Sequence, residues 1–84
     1  MKTYFITFRS ITYAQRGEKN LNEAGYRCYL RRTPRWMEER GCGYCLQLTV
    51  ADIRQPVSLL QLEEVPMRKV YVQKENGTMA EVTL

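Results

Sequence analysis

Apolar and polar positions alternate from Lys2 to Phe8, with Tyr4, Ile6 and Phe8 on one side and Thr3, Phe5 and Thr7 on the other. That period of two predicts a first strand. The period then changes. Ser10 is a good N-cap, Ala14, Gly17, Leu21 and Ala24 recur at three- and four-residue steps, and Gly25 supplies a stop, which predicts an amphipathic helix. The small inner residues Ala14 and Gly17 would let it approach a sheet closely. Alternation returns from Tyr26 to Arg32, placing Tyr26, Cys28 and Leu30 on one face, and again from Tyr44 to Val50. Pro56 opens a short apolar helix through Leu62 that Val65-Pro66 ends. Met67–Gln73 reads as a fourth strand, Asn76-Gly77 as a type I′ turn, and Met79–Leu84 as a fifth strand.

This order predicts an α+β chain. It fits a ferredoxin-like split βαβ sandwich (β-α-β-β-α-β) with an extra C-terminal hairpin strand, a single domain over residues 1–84. The helices would cover one face of the sheet and leave the other open, with Phe5, Thr7, Tyr29, Arg31, Cys45 and Gln47 on it. Between the second and third strands, Thr33–Arg40 reads as a structured loop, its Trp36 and Met37 plugging it onto the domain.

Composition narrows the class. The 84 residues suffice for one core, since domains near this size bury roughly 60% or more of their surface. With 44% hydrophobic and 26% charged residues, disorder and fibrous repeats are not indicated. Apolar runs all fall short of the ~20 residues that cross a bilayer, and the N-terminal segment reads as a strand and not an export signal. Three cysteines, an odd number, then point to a reducing, cytoplasmic setting and away from a disulfide framework. The net charge of +4 gathers at Arg27, Arg31, Arg32, Arg35 and Arg40. Such a cluster attracts anions, or is simply a solvated basic face.

The stretch Arg40-Gly41-Cys42-Gly43-Tyr44 brings together a thiol, two glycines and a cation. A thiolate is the nucleophile in sulfur exchange, and Arg40 and Arg35 would favour it by opposite charge. Gly41 and Gly43 would let backbone N–H groups and a donor approach the sulfur. The chain has no histidine, so activation of Cys42 must be electrostatic. The alternative is an inert cysteine in a turn. Cys45 is either an accessory thiol or a small residue filling a sheet face, and Cys28, beside Tyr26 and Leu30, belongs to the core. A Cys42–Cys45 disulfide needs a tight turn, because three residues of strand span roughly 10 Å and a disulfide holds Cα atoms within about 7 Å. Three cysteines without histidine do not complete a tetrahedral zinc site, so no metal and no cofactor is expected. The neighbouring pairs Glu38-Glu39 and Glu63-Glu64 suit solvated surfaces better than acid–base work, so a turnover enzyme is not expected.

Thr7-Phe8-x-Ser10, the helix ending Leu21-x-x-Ala24-Gly25, the pair Pro34-Arg35 and then Cys42-Gly43-x-Cys45-Leu46 resemble the small bacterial family described as Putative Se/S carrier protein-like, over about residues 4–64. The Cys-Gly pair is that family's hallmark, and a small residue such as alanine is common where Cys45 stands. The resemblance implies a protein that carries or delivers reactive sulfur or selenium, with donor and acceptor proteins as partners. The chain departs from the family by its Asn76-Gly77 hairpin and by Trp36-Met37-Glu38-Glu39-Arg40, where small polar residues are common.

Two rival classes stay open. Arg40-Gly41-Cys42-Gly43-Tyr44 partly matches the central motif of RNA-recognition modules, and Tyr4-Phe5-Ile6 their partner strand. Cys42 and Gln47 stand where stacking rings belong, so only Phe5, Tyr29 and Arg31 would support a weak RNA contact. The other is a regulatory module that forms a homodimer through its open sheet face.

Overall fold

The computed structural model describes residues 1–34 and 43–83. The two longest alternating segments, β1 (Lys2–Phe8) and β3 (Tyr44–Val50), pair antiparallel from Lys2 opposite Val50 to Phe8 opposite Tyr44. Around them come α1 (Ile11–Glu23), β2 (Cys28–Arg32), α2 (Arg54–Leu62), β4 (Val70–Gln73) and β5 (Met79–Val82). Among the described residues this is an α+β chain with two helices and one five-stranded sheet, ordered β2-β3-β1-β4-β5. All its pairings are antiparallel, and β2 and β5 form its edges.

Period-two patterning decides which side chains meet the helices. Tyr4, Ile6 and Phe8 of β1 and Leu46 and Leu48 of β3 pack with Ala14 and Leu21 of α1 and with Val57 and Leu60 of α2. Each large apolar side chain buried there contributes about 1.5–3 kcal/mol. Gly17 lets α1 come close to the sheet: a Cβ placed on it would lie 3.1 Å from Phe8 Cζ and 3.2 Å from Leu46 Cδ1.

Both helices end on the same device. Tyr26 N donates to Leu21 O and Gly25 N to Asn22 O, with Gly25 at φ +94°. This Schellman motif occupies Tyr26, so β2 begins at Cys28 and not at Tyr26 as the alternation suggests. At the end of α2, Val65 N donates to Leu60 O and Glu64 N to Gln61 O, with Glu64 at φ +57°. The helix therefore ends at Leu62, closed by the left-handed Glu64 before the expected Val65-Pro66 brake. It also starts two residues before Pro56, because the Asp52 carboxylate accepts from Arg54 N at 3.0 Å and Pro56 falls in the first turn, where no N–H is needed.

Two expectations at the C-terminal end are corrected. Regular β4 begins at Val70, not Met67: Thr7 O accepts from Arg68 N while Thr7 N donates to Lys69 O, so two residues face one, as in a β-bulge. The turn at Asn76-Gly77 is not type I′, since only Gly77 has positive φ (+86°). Gly77 N donates to Lys74 O, and the Asn76 carboxamide accepts from Thr78 N at 3.1 Å, which keeps Asn76 on the negative-φ side. A three-residue loop with glycine in the left-handed position results.

The second face of the sheet is not open at its centre. Phe5, Thr7 and Cys45 are buried there, and Tyr71 and Met79 pack against Phe5 and Cys45. Tyr29, nearer the edge, is 60% exposed.

Candidate functional site

The loop bearing the Cys-Gly pair leaves β2 after Arg32 and enters β3 at Tyr44. Thr33 N donates to Gly43 O at 3.0 Å, extending the β2–β3 ladder by one step. Gly43 is buried. Beside it Arg32 lies over the Tyr44 ring, 5.7 Å from the centroid, and its Nη2 reaches the Tyr44 hydroxyl at 3.5 Å. This cation–π stack steadies the base of the loop. Cys42, Gly41, Arg40 and Arg35 lie outside the described residues, as do Trp36, Met37 and the Glu38-Glu39 pair. The proposed cradle of Cys42 is thus located only by its two ends.

Cys45 follows within β3, between Thr7 on β1 and Arg31 on β2. Its side chain is 1% exposed. Burial pushes the thiol's pKa up, against the opposing pull of the Thr33 hydroxyl and the Arg31 charge. A thiol so held is mostly protonated near neutrality and a poor nucleophile. Its place inside a strand also differs from the helix start at which thioredoxin-like Cys-x-x-C pairs work.

Thr33 was not singled out by the sequence, where Thr-Pro reads as an ordinary turn. It is 8% exposed, and among the described residues its Oγ1 has no hydrogen-bond partner of good geometry. The hydroxyl eases ionisation of Cys45 without completing a bond to it.

Cys28 sits in the main core, its Sγ 3.6 Å from Asn22 Oδ1 and 3.8 Å from Glu18 O. Burial, helped by the Glu18 charge, pushes this thiol up to about 11. Both described thiols are therefore free, buried and held in the neutral form.

The rival nucleic-acid surface loses a ring. Phe5 is 5% exposed, so it offers no face for a base, and Arg31 donates to Gln47 Oε1 at 2.6 Å across the strands. Among the described residues, no cluster of His, Cys, Asp and Glu could hold a metal ion, and no helix is long and apolar enough to cross a membrane.

A family model described as Putative Se/S carrier protein-like matches residues 3–72. The match runs through β1, α1, β2, β3, α2 and most of β4, and ends before the hairpin and β5. No curated protein and no solved structure matches the chain.

Proposed function

The chain belongs to this Se/S carrier-like family, and from that premise we propose that it accepts sulfane sulfur or selenium on the thiolate of Cys42 and passes it to an acceptor protein. The observation that carries the assignment to Cys42 is the state of the other two thiols: Cys28 and Cys45 are both buried and held protonated. The transfer is an exchange. The Cys42 thiolate attacks the outer sulfur of a donor persulfide, a new S–S bond forms as the donor's S–S bond breaks, and the donor leaves as a thiolate. No net oxidant or reductant is consumed, and delivery repeats the step with Cys42 as the donor.

Arg40 and Arg35 favour the anion at Cys42, Gly41 gives the donor's thiol access while the buried Gly43 anchors the loop's end, and Cys45 serves at most as an accessory thiol. The setting is cytoplasmic, and the partners are a sulfur or selenium donor and an acceptor. In fold terms we read the chain as a ferredoxin-like sandwich, which the order β2-β3-β1-β4 supports, with β5 added beside β4.

The test is intact mass after incubation with a cysteine desulfurase and cysteine, free persulfide removed. Wild type and Cys45→Ser gain one sulfur atom and Cys42→Ser gains none. Equal uptake by all three, or none by wild type, overturns the carrier reading.

A further inference from the structure

The sheet face turned away from the helices carries a hollow beside its buried centre. A cavity of about 400 Å³ lies there, with Phe5, Cys45 and Met79 as its apolar wall and Arg31, Gln47 and Gln73 as its polar one. Its volume is within the range of small-molecule sites, which are mostly apolar with a few convergent polar groups.

The polar groups are of one kind. Arg31 commits an N–H to Gln47 Oε1, which steadies the guanidinium and leaves the Gln47 NH₂ to donate elsewhere. Gln73 adds a second carboxamide, and among the described residues no carboxylate lines the cavity. A planar guanidinium flanked by amide donors matches a carboxylate, which it can grip through two parallel hydrogen bonds.

We propose that this cavity binds a small organic carboxylate, its apolar body against Met79 at the edge of Phe5 and its charged end on Arg31 with the Gln47 and Gln73 amides. Binding there needs no chemistry at Cys42, although Arg32 and Pro34, just before the loop, also line the cavity. Gln73, Met79 and the lining residue Gly77 lie beyond the region matched by the family model, so the hairpin adds one wall to residues that lie within it.

The experiment is a titration of the full chain with 4-phenylbutyrate, followed by amide ¹H–¹⁵N NMR, with 4-phenylbutanol as the neutral counterpart. The carboxylate should give saturable shifts at Phe5, Arg31, Cys45, Gln47, Gln73 and Met79, and the alcohol should bind at least about tenfold more weakly. Arg31→Gln should weaken the carboxylate about tenfold. Gln73→Glu, which keeps size and adds a repelling charge, should do the same without altering thermal unfolding. Absence of saturation, shifts that map elsewhere, equal binding of the alcohol, or unchanged affinity in both variants overturns the proposal.

Discussion

Thr33 N and Gly43 O, 3.0 Å apart, fasten together the two ends of the loop that carries Cys42. Because the bond is backbone to backbone, the Thr33 side chain is free to be changed without loosening it. Its hydroxyl is buried and unpartnered among the described residues, and a buried polar atom left unsatisfied costs about 1–3 kcal/mol. Thr33→Val should raise stability by about 1 kcal/mol in urea unfolding. It should also slow alkylation of Cys45, because the hydroxyl's pull toward the thiolate is lost. A loss of stability would mean that the hydroxyl has a partner in solution.

The thiol of Cys28, otherwise near 9.0, is pushed up to about 11. A raised folded-state pKa favours the protonated native form, so this contribution is intact below pH 9. It is lost as pH climbs to about 11, where the unfolded chain has already released its proton. Against Cys28→Ala as reference, wild type should lose about 1–2 kcal/mol of stability over that window, measured by chemical unfolding at a series of pH values. Parallel pH profiles for the two proteins would count against a buried thiol at this position.

Gly17 lies on the buried side of α1, tight against Phe8 and Leu46. Alanine there would gain roughly 1 kcal/mol of helix propensity. Its methyl, however, would press on Phe8 and Leu46, and overpacking of this kind costs about 1–3 kcal/mol. Gly17→Ala should be destabilised by about 1 kcal/mol in a thermal or urea melt, the reverse of what an exposed helix glycine would show.

Glu64 holds a left-handed backbone at φ +57° to close α2. For a residue with a Cβ that conformation costs about 1–2 kcal/mol, whereas glycine adopts it freely. Glu64→Gly should therefore stabilise the domain by about 1 kcal/mol, part of the gain being offset by the greater freedom of the unfolded chain. Differential scanning calorimetry would register it as a rise in Tm.

Much of the fold was legible because it is written locally. The alternation of β1 and β3 and the Ser10 and Gly25 boundaries of α1 all sit where the spacing puts them. The misread details have non-local or competing causes. β4 shortens because Thr7, more than sixty residues away, accommodates Arg68 and Lys69 together, and the hairpin turn changes type because the Asn76 side chain bonds Thr78. The residues Phe5 and Cys45 were placed on the right face and the hairpin of β4 and β5 was expected, yet the packing of Tyr71 and Met79 onto them is a contact between strands distant in sequence that periodicity does not reveal. At the candidate site the sequence marked Cys45 and Gly43 but not Thr33, whose importance comes only from burial next to the thiol.

The position of β2 at the rim of the sheet has a consequence for how copies of this chain meet. An unpaired strand edge is a template for another strand, and proteins guard it with charge or by keeping it short. β2 is five residues long and ends in the exposed pair Arg31-Arg32. Two copies aligned parallel and in register along it would bring four guanidinium groups together with no acidic residue within the strand to offset them. The same arginines that border the Cys42 loop thus charge this edge against strand addition.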